Sequence, residues 1–256
     1  MDIKIDIKFL LSFTLVFILF TVIGTISHEY GHIAIAKIYG YDTTLHYGSM
    51  NFYPKGYLDD PNFKVLESLS ENYINVEYDS IPDEVKEKAN KYVKLLEKRY
   101  WDEEIEKNNK SLFISIGGPL QTILTGIIGL FILRLRKKTI QINGLKILDW
   151  LVVFLSLFWL REIFNFVHSI GEEIILPDGK WFGGDEYFIS KDLNLWPGTI
   201  PILLGLVGLL ISAYIVFKVV PKKLRLTLIL GGLIGGISGF ILWLDIIGPK
   251  GLPEFE

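Results

Sequence analysis

Cysteine is absent from this 256-residue chain, and histidine occurs only four times. The first absence excludes a disulfide framework and every metal site built from thiolates, so a bound metal ion must be held by nitrogen and oxygen atoms. A strong excess of one charge is also lacking, because 26 basic residues stand against 29 acidic ones and the net charge is −3. Without a basic stripe, we expect no nucleic-acid partner.

Long apolar runs indicate the class of protein. Half of the residues are hydrophobic and the mean hydropathy is +0.37, which is too apolar for an ordinary soluble domain. A transmembrane helix needs about 20 mostly apolar residues. Five segments meet this requirement, at 9–39, 111–133, 147–170, 199–220 and 226–247. The sequence therefore predicts an all-α polytopic membrane protein with about five transmembrane helices and a mixed α/β extramembrane insert.

Two polar connections divide the chain into five regions. Residues 41–110 form the insert, in which alternating residues over 43–58 predict short β-strands and the charged segment 82–108 predicts a helix. Residues 171–197 form an acidic loop. The other regions are 1–40 with the first transmembrane helix, 111–170 with the second and third, and 198–256 with the fourth and fifth. Glycines in the last two spans predict close helix packing; they are Gly205, Gly208, Gly231, Gly232, Gly235, Gly236 and Gly239.

Lysine and arginine concentrate in two connections that fall on the N-terminal side of the predicted bundle. They are Arg134, Arg136, Lys137, Lys138, Lys146, Lys218, Lys222, Lys223 and Arg225. Because cytoplasmic loops are enriched in these residues, the pattern predicts an integral multi-pass protein with its N-terminus in the cytoplasm. The first apolar run has no small-residue cleavage site after it, so we expect it to be retained as a membrane span.

A His-Glu-x-x-His motif, His28 to His32, follows an apolar run over 9–26 that contains no charged residue. Ionisable groups at membrane depth are costly and usually mark function. On a helix, His28 and His32 are one turn apart, so both imidazoles can bind one metal ion. Glu29 lies beside that face and can accept a proton from water. Zinc suits such a site because it binds imidazole and keeps a coordination position open.

The wider segment HEYGHIAIAKIYG resembles the H-E-x-G-H-x-x-x-A-x-x-x-G signature of the site-2 protease family, the intramembrane zinc metalloproteases. Gly117-Gly118-Pro119-Leu120 is similar to the family's G-P-L element, although the Asn that usually follows it is absent. Asn165 is similar to an Asn that precedes the family's L-D-G, whose Asp is the third zinc ligand. Here a longer insert separates Asn165 from any Asp.

This resemblance implies a zinc metalloendopeptidase that cuts membrane-embedded or membrane-adjacent segments, with Zn²⁺ as the cofactor. It implies that His28 and His32 are zinc ligands and that Glu29 is the catalytic base. It further implies that Asn165 binds the substrate backbone or the oxyanion. The expected partners are a membrane protein or peptide substrate and the lipid bilayer.

The third zinc ligand is open among seven side chains, which are Asp178, Asp185, Glu172, Glu173, Glu186, His168 and His46. Asp178 lies in Leu-Pro-Asp-Gly, the closest match to L-D-G, but Pro-Asp-Gly is also a turn signal. Asp185 follows two glycines, which permit close backbone approach, and precedes apolar residues that can begin a helix. We expect Asp185 to be the ligand, with Asp178 or His168 as alternatives. We expect His46 to be solvated or near the substrate.

Two other classes of function stay open. The chain could be a catalytically silent zinc-binding membrane protein with a regulatory role, but zinc binding alone does not require Glu29. A transporter is expected to carry internal repeats, and none is evident. Arg161 and Glu162 lie within the third predicted span, where charges are expected to pair with one another or with a neighbouring helix. Orientation of a zinc-bound histidine is the alternative role for this pair.

Overall fold

The computed structural model describes residues 5–73, 76, 78–100, 110–177, 179 and 181–251. The helices are α1 (Ile7–Ile38), α2 (Pro61–Glu71), α3 (Asp83–Tyr100), α4 (Lys110–Asn143), α5 (Ile147–Ser156), α6 (Leu160–Ile175), α7 (Gly184–Asp192), α8 (Thr199–Tyr214), α9 (Arg225–Phe240) and α10 (Gly248–Gly251). Strands β1 (Asp42–Leu45) and β2 (Met50–Tyr53) form one small antiparallel sheet. Single 3₁₀ turns lie at Tyr78–Ser80, Leu157–Trp159 and Lys222–Leu224, and π-helical turns extend α8 over Ile215–Val219 and α9 over Ile241–Ile247.

Four helices in the described part of the chain are long and apolar enough to cross a membrane. They are Ile7–Ile38, Lys110–Asn143, Thr199–Val219 and Lys222–Gly251. These four helices and the small sheet fit the predicted all-α membrane protein with a mixed insert. The predicted third span, 147–170, is instead divided into α5, a 3₁₀ turn and α6, so the predicted count of five continuous spans is not reproduced.

The division of the third segment coincides with two contacts at Ser156. The hydroxyl of Ser156 donates to the carbonyl of Val152, at 2.8 Å, and such bonds to the preceding turn bend helices. Helix α4 also approaches here through Gly129, where an added Cβ would lie 2.5 Å from the backbone nitrogen of Ser156. The break therefore occurs where two helices are in backbone contact.

Glycines on α9 and on α4 let these two helices pack closely against α1. On α9, an added Cβ at Gly231, Gly235 or Gly239 would lie only 2.7–2.9 Å from a Cβ atom of α1. This confirms the packing prediction for these three positions, whereas at Gly236 no atom lies within 4 Å and the prediction is wrong. The helices enclose an apolar core that includes Phe13, Phe17 and Phe154.

A second glycine contact, between α1 and α4, positions the histidine-bearing turn. An added Cβ at Gly117 would lie 2.5 Å from the carbonyl oxygen of Gly31, so the two backbones touch. Pro119 lies inside α4 and cannot donate to the carbonyl of Ser115, which loosens the helix at this point. The motif of α1 thus packs against a disturbed turn of α4.

The insert contains the predicted strands and the predicted helix. Strands β1 and β2 pair from Asp42 opposite Tyr53 to Leu45 opposite Met50, which confirms the strands expected over 43–58. Helix α3 confirms the charged helix up to residue 100, and the rest of that prediction, 101–108, lies outside the described residues. Asp60 caps α2 and also forms an ion pair with Arg99 of α3, so it joins the two helices.

Candidate metal centre

The motif on α1 forms a buried cluster of potential ligands. His28, Glu29 and His32 are 1, 5 and 6 % exposed, and one ligand atom from each lies within 4.8 Å of the others. The Nδ1 atom of His32 lies 2.6 Å from the carbonyl oxygen of Ile114, and the Nδ1 atom of His28 lies 3.1 Å from the hydroxyl of Thr122. These contacts engage both Nδ1 atoms and leave Nε2 of each ring available as a metal ligand.

Asp185 lies where both Nε2 atoms point. Its Oδ2 atom is 2.8 Å from Nε2 of His28 and 3.3 Å from Nε2 of His32. Gly184 precedes it with a φ of +73°, in the left-handed region that favours glycine, and this turn begins α7 with Asp185 in its first turn. The structure therefore brings together the three side chains that the sequence nominates as metal ligands.

The charge of Asp185 suits this position. Burial alone would raise its pKa, but hydrogen bonds with His28 and His32 outweigh burial and hold the pKa of Asp185 below its usual value. The ionised carboxylate and two neutral imidazoles form the nitrogen and oxygen donor set that Zn²⁺ accepts. These residues therefore fit a zinc ion, because they supply the donor atoms that zinc binds and because those atoms point to one place.

Gly118 of α4 forms the floor beneath the imidazoles. A Cβ atom at this position would lie 2.7 Å from Cδ2 of His28 and would overlap Nε2 of both His28 and His32. Only glycine leaves room for the two rings at this place. Sequence reasoning quoted Gly118 within the G-P-L element but assigned no role to it, and it missed the contacts of Ile114 and Thr122 altogether.

Most of the other candidate ligands have different partners or lie elsewhere. Glu173 is buried and accepts a hydrogen bond from the backbone of Gly179, at 3.0 Å. His168 and Glu172 are exposed and lie 3.8 Å apart, although His168 lines the same cavity as Asp185. His46 is 3 % exposed and contacts a threonine hydroxyl of β1 at 3.1 Å, so the expectation that it is solvated is wrong. Asp178 lies outside the described residues.

Asn165 and Glu186 meet beside the cluster. The amide of Asn165 donates to Oε1 of Glu186 at 3.1 Å, and Glu186 is 2 % exposed. Glu186 follows Asp185 directly, so this hydrogen bond connects α6 to the first turn of α7. Asn165 is thereby placed at the wall of the site, with one N–H of its amide engaged by the protein.

The expected ion pair of Arg161 is not formed. In the part of the chain that the structure describes, no carboxylate oxygen lies within 4 Å of the guanidinium. The Nε atom of Arg161 and both carboxylate oxygens of Glu162 are buried without a hydrogen-bond partner among the described residues. The prediction that Arg161 forms an ion pair with Glu162 or with an acid of a neighbouring helix is therefore wrong for the described residues.

A cavity of about 420 Å³ borders the cluster. Its walls include Glu29, His32 and Asp185 on the metal side, Arg161 and Asn165 on α6, and the hairpin residues Gly48, Ser49, Met50 and Phe52. A second cavity of similar volume is almost wholly apolar and lies between α1, α6 and α9. Arg161 and Phe164 line both cavities, so the two are neighbours.

No protein-family model, curated protein or solved structure matches this chain. Function is therefore inferred from the site itself and from the motifs in the sequence.

Proposed function

We propose that the chain is a zinc-dependent intramembrane endopeptidase. One observation carries this proposal: Nε2 of His28, Nε2 of His32 and Oδ2 of Asp185 converge beside the buried carboxylate of Glu29. Catalytic zinc typically has three protein ligands and one open position, and this set supplies three. The resemblance of the motif to the site-2 protease signature supports the same function.

The chemistry divides between the ligands and Glu29. Zinc would supply Lewis acidity, which polarises a peptide carbonyl and makes water acidic enough to lose a proton near neutral pH. Glu29 would take a proton from the water molecule whose oxygen attacks the carbonyl carbon. It would deliver that proton to the amine nitrogen as the C–N bond breaks. The buried contacts of the two Nδ1 atoms would hold the imidazoles in place during these steps.

The proposed substrate is an extended segment of a membrane protein or peptide. A helix hides its carbonyl groups in internal hydrogen bonds, so a transmembrane substrate must unwind locally before it is cut. Strand β2 borders the cavity and offers an edge to which an extended segment can add as a further strand. Asn165 retains a second amide N–H, which we assign to the substrate backbone.

The distribution of lysine and arginine supports a multi-pass protein with its N-terminus in the cytoplasm. Among the short connections, the C-terminal end of α4 and the connection between α8 and α9 are rich in these residues, which favours a cytoplasmic location for that end of the helices. The cluster of His28, Glu29 and His32 lies near the other end of α1, so we propose that it faces away from the cytoplasm.

Cleavage of defined peptides tests the proposal. Purified protein in detergent is supplied with zinc and a set of single-span peptides, and products are identified by mass spectrometry. We expect cleavage by the wild type and none by Glu29→Gln, because glutamine keeps the shape but cannot accept the proton. Glu172→Gln, at an exposed acid of α6, is the matched control and should cleave as the wild type does. Equal products from wild type and Glu29→Gln would refute the assigned base, and zinc-loaded wild type that cuts no peptide would refute the activity.

A further inference from the structure

Arg161 is a positive charge on α6 that has no ion-pair partner among the described residues. Its side chain forms no ion pair within 4 Å and no hydrogen bond among the described residues, and its Nε atom is buried. The neighbouring carboxylate of Glu162 does not reach ion-pair distance of the guanidinium, since consecutive residues of a helix point in different directions. Unpaired charges at membrane depth are costly and therefore usually serve a ligand.

The position of Arg161 indicates which ligand this is. Arg161 and Asn165 are four residues apart on α6, so both project from one face, and both line the cavity that contains Glu29, His32 and Asp185. Arg161 also borders the apolar cavity, whose lining carries no other charged side chain. A peptide that extends from the apolar cavity to the metal ligands would pass the guanidinium.

We infer that Arg161 binds the carbonyl oxygen of the scissile peptide bond and stabilises the negative charge that develops on it. This inference rests on the proposed function. When the water oxygen bonds to the carbonyl carbon, the π electron pair moves onto the carbonyl oxygen, and the N–H groups of the guanidinium donate to it. The pair returns as the C–N bond breaks, and the amine leaves with the proton that Glu29 delivers. A guanidinium suits this task because it stays charged and presents five donors in a fixed plane.

The stability of two matched variants separates this role from a structural one. Arg161→Met keeps the length of the side chain and removes a charge that has no partner, so Tm should stay unchanged or rise. Arg136→Met removes the partner of Asp149, which is 1 % exposed, and should lower Tm by leaving a buried carboxylate unpaired. A fall of Tm in Arg161→Met as large as that in Arg136→Met would indicate a structural role and overturn the inference.

Kinetics and ligand binding then test the role itself. We expect Arg161→Met to lower kcat by about 100- to 1,000-fold with little change in KM and full zinc content, as for removal of other oxyanion donors. Arg161→Lys should recover part of this loss because it keeps the charge. A phosphinic dileucine peptide, which carries a tetrahedral anion, should bind the zinc-loaded wild type tightly. Its affinity should be about 100-fold lower for Arg161→Met than for the wild type. The affinity of the dileucine amide, which carries no tetrahedral anion, should be the same for both proteins.

Three outcomes would overturn the inference. If the wild type cleaves peptides and Arg161→Met has the same kcat and the same phosphinate affinity, Arg161 is not the donor and the proposed function stands. If Arg161→Met lowers the affinity for the phosphinate and for the amide equally and raises KM without changing kcat, Arg161 binds the ground state and the transition state equally well. It is then not an oxyanion donor. If the zinc-loaded wild type neither cleaves peptides nor binds the phosphinate, the proposed function fails and this inference fails with it.

Discussion

Substitution of Gly118 by alanine should disable the metal centre without removing a ligand. The new Cβ atom would lie 2.7 Å from Cδ2 of His28, whereas ordinary van der Waals contact begins near 3.4 Å, so the ring must move by about 0.7 Å, the difference between these distances. Zinc–ligand distances tolerate only about 0.2 Å. We therefore expect zinc affinity to fall at least about 100-fold, or about 2.8 kcal/mol.

Gly236→Ala is the matched control for this substitution. Gly236 also lies within a predicted membrane helix, but an added Cβ there would have no atom within 4 Å. Alanine favours a helix over glycine by about 1 kcal/mol, so both variants share this intrinsic gain. We expect Gly236→Ala to bind zinc as the wild type does, with equal or higher Tm.

A competition titration with a chromophoric chelator measures the predicted loss of zinc affinity. The metal-free proteins are purified in detergent, their helix content is checked by circular dichroism, and zinc is then partitioned between protein and chelator. Wild-type affinity in a folded Gly118→Ala variant would refute the proposal that this glycine makes room for the imidazoles.

Three further predictions concern the support of the site, the insert and the orientation. Thr122→Val removes the hydroxyl 3.1 Å from Nδ1 of His28 and should lower zinc affinity about 10-fold in the same titration, so an unchanged affinity would contradict the contact's role. Burial raises the pKa of Asp60, but hydrogen bonds from a backbone N–H of α2 and from side chains of α3, including Arg99, outweigh it and hold the pKa below 3.8. Its contribution to stability is therefore present above pH 3.8 and lost as the pH falls through the lower folded-state value, so the protection of α3 amides from exchange, relative to the intrinsic rate at each pH, should fall in that acidic range for the wild type and already at pH 7 for Asp60→Asn. Protection of the wild type that does not change with pH in that range would contradict this assignment. Asn143→Cys, the single cysteine of an otherwise cysteine-free chain, should react with an impermeant reagent from the cytoplasmic side, and reaction only from the opposite side would reverse the proposed orientation.

Local patterns in the sequence predicted the parts of the fold that local forces determine. The uninterrupted apolar run before His28 predicted α1, which the structure has as one helix over Ile7–Ile38. The alternation over 43–58 predicted the β-hairpin, and the charged segment 82–108 predicted α3, which has Asp83 and Glu84 in its first turn. In each case neighbouring residues carry the signal, because hydrophobic period and helix-end charge act within a few residues of the chain.

Features that depend on contacts between residues far apart in the chain could not be predicted from the sequence. The break after Ser156 occurs where Gly129 of α4 touches it, and no proline or glycine in 147–170 announces it. No carboxylate oxygen of the described residues lies within 4 Å of the guanidinium of Arg161, which depends on how the neighbouring helices pack and is recorded by no local pattern. For the third ligand, the sequence favoured Asp185 over Asp178, but the path of 171–197 back to α1 is a tertiary property. The contact of Asp185 with both imidazoles agrees with that preference, and its role as a ligand stays a prediction.

The zinc content of the purified protein tests the central claim most directly. Metal-free protein is equilibrated with zinc, freed of excess metal and measured by mass spectrometry of the element. We predict one zinc ion per wild-type chain, loss of most of it in Asp185→Asn, and full retention in Asp192→Asn, an exposed acid at the other end of α7. A wild type without stoichiometric zinc, or an Asp185→Asn variant that retains it, would contradict the account.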